Sequence, residues 1–261
     1  MLLAIDIGNT HTVIGIFEGK TLEGHWRINS DHTRTVDECG LLLRQILSSK
    51  DVQLEEIVGA IIASVVPPLT SIYSEMVKQY VQRDPVVVHS DLNVGIQIGC
   101  AEPKRVGADR IANAVGAFEK YGGPTVVVDL GTATTFDVIT REGVYLGGVI
   151  APGMETSAAQ LFHDTAQLPR VEFMKPKGVI GRNTEDSLRA GIFYSTVGQI
   201  DEIVRRIQKE LGQHINVIAT GGLAELVAGD TNTIEVVEPF LTLEGLRIIF
   251  NRTQEGEYTS L

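Results

Sequence analysis

Short apolar runs alternate with longer stretches of helical periodicity along the first half of this 261-residue chain. The apolar runs predict strands at residues 2–7, 12–18, 21–28, 58–66 and 86–88. Apolar residues at the spacing of one helix face predict helices at residues 36–49, 69–80 and 107–119. Pro67 and Pro68 end the fourth strand, because proline cannot continue a central ladder. This alternation of strands and helices indicates a layered α/β fold.

The second half of the chain repeats this order of elements. Strands are predicted at 125–130, 134–140, 143–150, 215–220 and 234–237, and helices after residue 153, at 185–211 and near 242–253. The long helix should start after Asn183 and Thr184, which are common N-cap residues. Each half therefore follows a β-β-β-α-β-α order with one more strand. We expect two similar lobes, at residues 1–116 and 117–261.

One sequence motif occurs in both halves. Residues 3–13 read LAIDIGNTHTV, and residues 126–136 read VVVDLGTATTF. The offset between Asp6 and Asp129 is 129 minus 6, or 123 residues, close to half of the 261. A second pair of segments, 62–66 and 218–222, also resemble each other. The repeat favours a duplicated fold whose two lobes close on one phosphate-bearing ligand.

The turn that follows the first strand has the residues of a phosphate-binding loop. Gly8 lets the backbone approach a phosphate closely, while Asn9, Thr10 and nearby amides donate to its oxygens. Asp6 would hold Mg²⁺ through water. Taken alone, such a turn simply closes a hairpin. Its second copy at residues 129–132 favours the phosphate-binding interpretation.

Two other motifs look catalytic but favour simpler readings. Residues 15–21 (GIFEGKT) are one residue short of a P-loop, and they fall between two strands instead of opening a helix, so they predict a hairpin turn. His89, Ser90 and Asp91 are adjacent in sequence, whereas the fold brings the members of a catalytic triad together from separate segments. We interpret them as a polar loop.

Composition and charge exclude several classes of function. The net charge of −11 disfavours nonspecific binding to nucleic acid or to an anionic membrane. No apolar run approaches the roughly 20 residues that span a bilayer, and the chain opens on a strand pattern without signal-peptide features. Two cysteines, Cys39 and Cys100, cannot make a disulfide framework. These features favour a cytoplasmic protein without membrane or nucleic-acid partners.

Residues 107–110 (GADR) can be interpreted in two ways. Asp109 suits the first turn of a helix, where the helix dipole favours an acidic side chain. Equally, Gly107 leaves backbone amides accessible, and Asp109 beside Arg110 combines a proton acceptor with an anion-binding side chain. The residues alone leave both readings open.

These motifs, in this order, resemble those of the type III pantothenate kinases. The resemblance rests on DIGNT at 6–10, GADR at 107–110, DLGTATT at 129–135, GGVIAPG at 147–153 and GRNT at 181–184. It extends from the first strand to about residue 250. The wider superfamily includes actin, sugar kinases and Hsp70-type ATPases. The resemblance therefore implies two ribonuclease-H-like lobes, built from duplicated βββαβα units, that flank a nucleotide cleft.

The resemblance also implies a reaction, in which ATP phosphorylates the terminal hydroxyl of pantothenate, the first committed step toward coenzyme A. Asp109 would be the general base, Asp6 would place Mg²⁺ through water, and Asp129 would hold a monovalent cation, K⁺ or NH₄⁺. The nucleotide would be bound by Asp6, Ile7, Gly8, Asn9, Thr10, His11, Thr12, Val13 and Thr132. Pantothenate would be bound by Gly107, Ala108, Asp109, Arg110 and Thr184. Thr184 would lie near a subunit interface, since the family forms homodimers, and the 185–211 helix is the expected interface element.

The chain departs from the family pattern at one position. Cys100 stands where a tyrosine is expected shortly before the GADR motif, so an aromatic or hydroxyl contact to the substrate is missing there. Two alternative functions also remain. One is a noncatalytic regulator that contacts protein or DNA, although the charge and the lack of a helix-turn-helix pattern oppose DNA binding. The other is a kinase for a sugar or acetate.

Overall fold

The computed structural model describes residues 1–164 and 171–258. The chain forms two compact units. The first unit contains Met1–Glu119 together with the chain from Leu241 onward, and the second contains Lys120–Phe240. The expected lobes, 1–116 and 117–261, differ from this division mainly because the closing helix belongs to the first unit.

The first unit is built on a sheet with the strand order β3-β2-β1-β4-β5. Its strands are β1 (Leu2–Ile7), β2 (His11–Glu18), β3 (Thr21–Asn29), β4 (Gly59–Ser64) and β5 (Val86–Val87), and the short strand β6 (Gln97–Ile98) follows them in sequence. β1 pairs antiparallel with β2 and parallel with β4. Almost every residue of β1 and β4 is buried, as expected of strands whose two faces are both covered.

Helices flank this sheet and begin at recognisable signals. They are α1 (Val36–Ser48), α2 (Pro67–Met76), continued by a π-helical turn (Val77–Val81), and α3 (Ala108–Tyr121), with 3₁₀ turns at Leu54–Glu56 and Pro103–Arg105. Thr35 and Glu38 form a capping box at the start of α1, which satisfies two backbone amides that the helix itself leaves without acceptors. Pro67 opens α2, where the missing amide of proline costs nothing.

The second unit repeats the first strand for strand. Its strands are β7 (Thr125–Leu130), β8 (Ala133–Ile139), β9 (Val144–Pro152), β10 (Asn216–Thr220) and β11 (Val236–Val237), and within the unit they follow the order β9-β8-β7-β10-β11. Its helices are α4 (Met154–Asp164), α5 (Thr184–Leu211) and α6 (Ala224–Ala228). The last helix of the chain, α7 (Leu241–Tyr258), returns to the first unit.

Strand pairing confirms the duplication predicted from the sequence. Asp6 lies opposite Val13 on β2 and Ala63 on β4, and Asp129 lies opposite Thr135 on β8 and Thr220 on β10. The second pair of matched segments is shifted by one residue, since the sequence aligned residue 63 with 219 whereas the structure equates 63 with 220. The predicted α/β fold with duplicated βββαβα units is confirmed.

The P-loop-like segment forms the expected hairpin turn. Gly19 has a φ of 58° and joins β2 to β3. Only glycine adopts this left-handed conformation without strain, so the glycine serves the turn and not a phosphate.

Candidate functional site

The first glycine turn is held in shape by hydrogen bonds from the strand end beside it. The amide of Gly8 donates to the carbonyl oxygen of His11 at 3.0 Å, which closes the turn between β1 and β2. The hydroxyl of Ser30 donates to the Gly8 carbonyl at 2.6 Å, and it also lies 2.9 Å from the Thr12 hydroxyl. The Ser30 amide donates to the carbonyl of Thr10 at 3.0 Å. The chain leaving β3 therefore fixes the turn from outside.

This geometry narrows which of residues 6–13 can meet a ligand. Ile7 and Thr12 are fully buried. The Gly8 amide is already engaged within the turn. Asn9 and Thr10 are exposed at its tip, which leaves them as the residues best placed to donate to an anion.

The other predicted nucleotide-binding residues of this segment belong to the strands on either side of the turn. Asp6 is the last residue but one of β1 and is partly buried. His11 and Val13 begin β2 and are also partly buried. The carboxylate of Asp6 is thus next to the turn without lying at its tip.

The GADR motif forms the start of α3, and glycine there makes room for the carboxylate that follows. A β-carbon at Gly107 would overlap Oδ1 of Asp109, so any other residue would displace that carboxylate. Oδ1 of Asp109 accepts a hydrogen bond from the Arg110 amide at 2.8 Å. Burial raises the pKa of Asp109, while the Arg110 amide and the Arg110 charge oppose the rise. A carboxyl group whose pKa is raised is a stronger proton acceptor once it is ionised.

The glycine turn and the GADR motif lie at the same edge of the first unit. The Val65 amide, just beyond β4, donates to the carbonyl of Ile7 at 3.1 Å. A β-carbon at Gly107 would lie 3.3 Å from Cγ1 of that same Val65. Because β1 and β4 are parallel, their carboxyl ends meet here, as is usual for ligand sites in α/β sheets. The two motifs that the sequence places 100 residues apart are therefore neighbours.

Glycines also shape the second copy of the turn, in the second unit. Gly131 donates its amide to the Ala133 carbonyl at 3.1 Å, so this turn is one residue shorter than the first. Gly221 has a φ of 90°, and a β-carbon there would lie 2.5 Å from Oδ1 of Asp129. A β-carbon at Gly153 would lie 2.5 Å from the carbonyl oxygen of Thr132. Two glycines thus keep the backbone close to Asp129 and Thr132.

The described residues contain no ready-made metal cage. Across residues 1–164 and 171–258, no group of three or more His, Cys, Asp or Glu side chains could hold a metal ion. Asp6 and Asp129 each stand at the carboxyl end of a central strand. Single carboxylates suit cations that complete their coordination with water or ligand oxygens, which is how Mg²⁺ commonly binds with nucleotides. The residues present therefore fit the predicted cations.

The other residues singled out in the sequence make fewer contacts that bear on function. Thr184 is the exposed first residue of α5, directly after its N-cap Asn183, whose side chain accepts from the Asp186 amide at 2.8 Å. Cys100 is partly buried in the loop before the 3₁₀ turn. The Asp91 amide donates to His89 Nδ1 at 3.2 Å, a local contact consistent with the polar loop expected there.

The sequence does not reveal that Ser30 supports the first turn from outside. Ser30 follows β3 and lies in no recognisable motif. The capping box at Thr35 marks the start of α1 in the sequence, but it does not reveal that the preceding loop folds back along the turn.

The chain matches a known protein family over most of its length. Residues 2–206 match the family model described as type III pantothenate kinase. The type III pantothenate kinase of Moorella thermoacetica is 49% identical over 252 residues, covering 97% of this chain and 99% of that protein. The Myxococcus xanthus enzyme of the same name is 48% identical over 252 residues, covering 97% and 98%.

Two solved structures share the fold at low sequence identity. A Campylobacter jejuni protein described as a Baf family transcriptional activator aligns with a TM-score of 0.61 at 18% identity, covering 97% of this chain and 99% of that one. Component A of the (R)-2-hydroxyglutaryl-CoA dehydratase of Acidaminococcus fermentans aligns with a TM-score of 0.59 at 14% identity, covering 97% and 98%. Within the described residues, no helix combines the length and apolar composition that crossing a bilayer requires. By its near-full-length relatives and its family match, the chain belongs to the type III pantothenate kinase family.

Proposed function

We propose that this protein transfers the γ-phosphoryl group of ATP to pantothenate and so forms 4'-phosphopantothenate, the first step of coenzyme A biosynthesis. The observation that carries the proposal is the position of Asp109. A carboxylate with a raised pKa lies at the sheet edge that also carries the glycine turn, in a chain of this family. An alcohol acceptor needs such a proton acceptor, and a phosphate donor needs such a turn.

In the proposed reaction, Asp109 accepts the proton of the terminal hydroxyl of pantothenate. The hydroxyl oxygen bonds to the γ-phosphorus as the bond from that phosphorus to the bridging oxygen of ADP breaks. ADP leaves with the bonding electron pair, and the proton on Asp109 passes to solvent. Such a base typically contributes about 10²–10⁴ in rate. Gly107 matters because its missing side chain lets the carboxylate occupy its observed position.

We assign the phosphates of ATP to the first glycine turn. Asn9 and Thr10 would donate at its exposed tip, and the backbone of Ile7, Gly8, Thr12 and Val13 together with His11 would form its walls. Thr132, exposed on the second turn, would also contact the nucleotide. Ala108 and Arg110 would bind pantothenate beside Asp109, with Arg110 supplying the positive charge for a carboxylate or phosphate oxygen.

We assign Mg²⁺ to Asp6 through water and a monovalent cation, K⁺ or NH₄⁺, to Asp129. When bound, these cations neutralise charge on the phosphates and thereby lower the cost of adding a nucleophile. The clearance that Gly221 leaves around Asp129 supports a ligand at that carboxylate. An anionic side chain near phosphates would otherwise repel them.

We also propose a homodimer that covers exposed apolar side chains of the second unit. Val179 is 68% exposed and Ile180 is 87% exposed, which is unusual for large apolar side chains in a monomer. Other exposed apolar residues of this unit are Leu146, Ile150, Leu161, Phe162 and Met174. Thr184 follows Ile180 by four residues, which supports its assignment to a substrate contact near the interface. The cytoplasm is the proposed location, with neither nucleic acid nor membrane as a partner.

A direct assay tests the reaction. Purified protein should form phosphopantothenate only with ATP and pantothenate together, and faster with K⁺ or NH₄⁺ than with Na⁺. A panel that includes sugars and acetate tests the alternative kinases, and a gel-shift experiment tests DNA binding. Lack of product with pantothenate under every cation condition, or a clear preference for another acceptor, would reject the proposal.

A further inference from the structure

The loop between β3 and α1 starts at the glycine turn and ends at an arginine, Arg34. Asn29, the last residue of β3, pairs with His11, and the next residue, Ser30, donates its amide to the turn at Thr10. The loop then bends back, with the Arg34 amide donating to the Asp31 carbonyl at 3.3 Å. Arg34 immediately precedes Thr35, the N-cap of α1, and lies four residues after Ser30.

The charge of Arg34 acts on two side chains, one of which is linked to the turn by hydrogen bonds. Its charge acts on Tyr73 and Cys39, lowering the pKa of each against the larger opposite effect of burial. The Tyr73 hydroxyl is hydrogen-bonded to Thr12, which in turn contacts Ser30, the residue that binds the Gly8 carbonyl. Burial raises the pKa of Tyr73 to about 12, so that hydroxyl stays neutral and Arg34 is the charged member of this group.

Arg34 is partly buried, and one nitrogen of its guanidinium group lies inside the protein without an acceptor. Nη1 of Arg34 is buried and has no hydrogen-bond acceptor in the described part of the chain. The carboxylates nearest to its charge, Asp31 and Glu38, are exposed and accept hydrogen bonds from Thr33 and Thr35 instead. No carboxylate in the described ranges forms an ion pair with Arg34.

Such an arrangement is costly unless an anion completes it. A buried donor with no acceptor destabilises a folded protein, because it has lost its hydrogen bonds to water without gaining others. Buried polar atoms without partners in a native structure therefore call for an explanation, and a missing ligand is one. The planar fork of arginine is especially suited to phosphate oxygens.

We propose that Arg34 binds the polyphosphate of the nucleotide, supplying a fixed positive charge behind the turn at Gly8. The inference rests on the proposed use of ATP, but it does not depend on which alcohol accepts the phosphoryl group. It assigns a ligand contact to a residue outside the DIGNT and GADR motifs. The competing explanation is structural: Arg34 would only help to pack the polar group around Tyr73.

The test compares nucleotides that differ in their phosphates. ATP, ADP and AMP are titrated by calorimetry into wild-type protein, Arg34→Met, Arg34→Lys and the control Arg44→Met. Arg44 is an exposed arginine on α1 of the same unit, so the control removes the same charge away from the turn. A charge-assisted hydrogen bond corresponds to roughly 10- to 150-fold in affinity. We expect R34M to weaken the binding of ATP by that factor and to change the affinity for AMP by no more than about twofold. R34K should recover part of the lost ATP affinity.

Stability measurements separate a binding role from a structural one. Without nucleotide, R34M should melt at or above the wild-type temperature, because it removes a buried nitrogen that has no acceptor. With ATP, it should show a smaller rise in melting temperature than wild type. Steady-state kinetics should show a raised KM for ATP and an unchanged KM for pantothenate. R44M should match wild type in every measurement.

Each outcome decides the question. The inference would be overturned if R34M bound ATP with wild-type affinity. It would also be overturned if R34M lost affinity for ATP and AMP equally and melted at a lower temperature. If R34M does not fold, the ratio of ATP to AMP affinity in Arg34→Gln and Arg34→Lys decides in the same way. If wild-type protein binds ATP through Arg34 but does not phosphorylate pantothenate, the inference stands and the proposed function fails.

Discussion

Replacing Gly107 with alanine should disable the reaction while leaving the fold intact. The new β-carbon would overlap Oδ1 of Asp109 and lie 3.3 Å from Cγ1 of Val65, so the carboxylate is the group that must move. It would have to retreat by roughly 1 Å to reach an ordinary contact distance. That movement also strains its 2.8 Å hydrogen bond with the Arg110 amide.

A displacement of that size is large for catalysis and small for stability. Misplacing a reacting group by about 1 Å can cost on the order of 10² in rate. The Gly107 backbone is not in the left-handed region, so alanine brings no conformational strain of its own. We therefore expect kcat to fall about 100-fold while the free energy of unfolding changes by less than about 1 kcal/mol.

The assay is ADP release coupled to NADH oxidation, followed at saturating ATP and pantothenate, with thermal unfolding measured on the same samples. Gly229→Ala is the control, because a β-carbon there meets nothing within 4 Å and the residue has an ordinary φ of −67°. It should retain wild-type kcat. If G107A keeps kcat within about threefold, the carboxylate does not need its observed position, and the reasoning is refuted.

Four further predictions follow from the geometry of the two turns and of Asp109. Asp109→Asn should lower kcat by about 10²–10⁴-fold. Because burial raises the pKa of Asp109, the stabilising contribution of this carboxyl group is present at low pH and is lost as the pH rises through that pKa. The variant should therefore be at least as stable as wild type at pH 7, and a less stable variant in urea unfolding would contradict this. In the pH profile of kcat/KM for pantothenate, the acidic limb of the wild-type enzyme should have an apparent pKa above the ordinary aspartate range. An acidic limb at the ordinary aspartate pKa would argue against burial of the base. Gly221→Ala should raise the K⁺ concentration needed for half-maximal activity, because its β-carbon would lie 2.5 Å from Oδ1 of Asp129; unchanged K⁺ dependence would remove Asp129 from that role. Ser30→Ala should raise the KM for ATP by several-fold without changing that for pantothenate, since it deletes a 2.6 Å hydrogen bond to the Gly8 carbonyl that is typically worth about 1 kcal/mol.

The sequence predicts the strands and the duplicated turns well, because their signals are local. Apolar runs broken by glycine and proline locate the ends of β1 and β7 at the observed residues. The repeated DxG motif also places Asp6 and Asp129 in equivalent strand positions. The hairpin assigned to residues 15–21 was confirmed for the same reason, since glycine at residue 19 has a turn conformation.

The sequence cannot show which distant segments pack together. Two glycines allow α7 to pack closely within the first unit. A β-carbon at Gly245 would overlap the Ala112 carbonyl, and one at Gly59 would overlap the Phe250 ring. A glycine in the sequence indicates that close approach is possible, but it does not indicate which segment approaches. Proximity between the turn and Asp109 likewise arises only when β4 brings Val65 between them.

The return of α7 to the first unit has a consequence for synthesis on the ribosome. The second unit is continuous in sequence, so all of its residues leave the ribosome before those of α7. Domains generally fold as units in the order in which their residues emerge. Until α7 arrives, the nascent first unit lacks the Phe250 ring that covers Gly59 on β4. The half of the molecule that starts first at translation is therefore the half completed last, and a ribosome stalled before residue 241 would hold a chain whose glycine turn is made but whose supporting sheet is still open on one face.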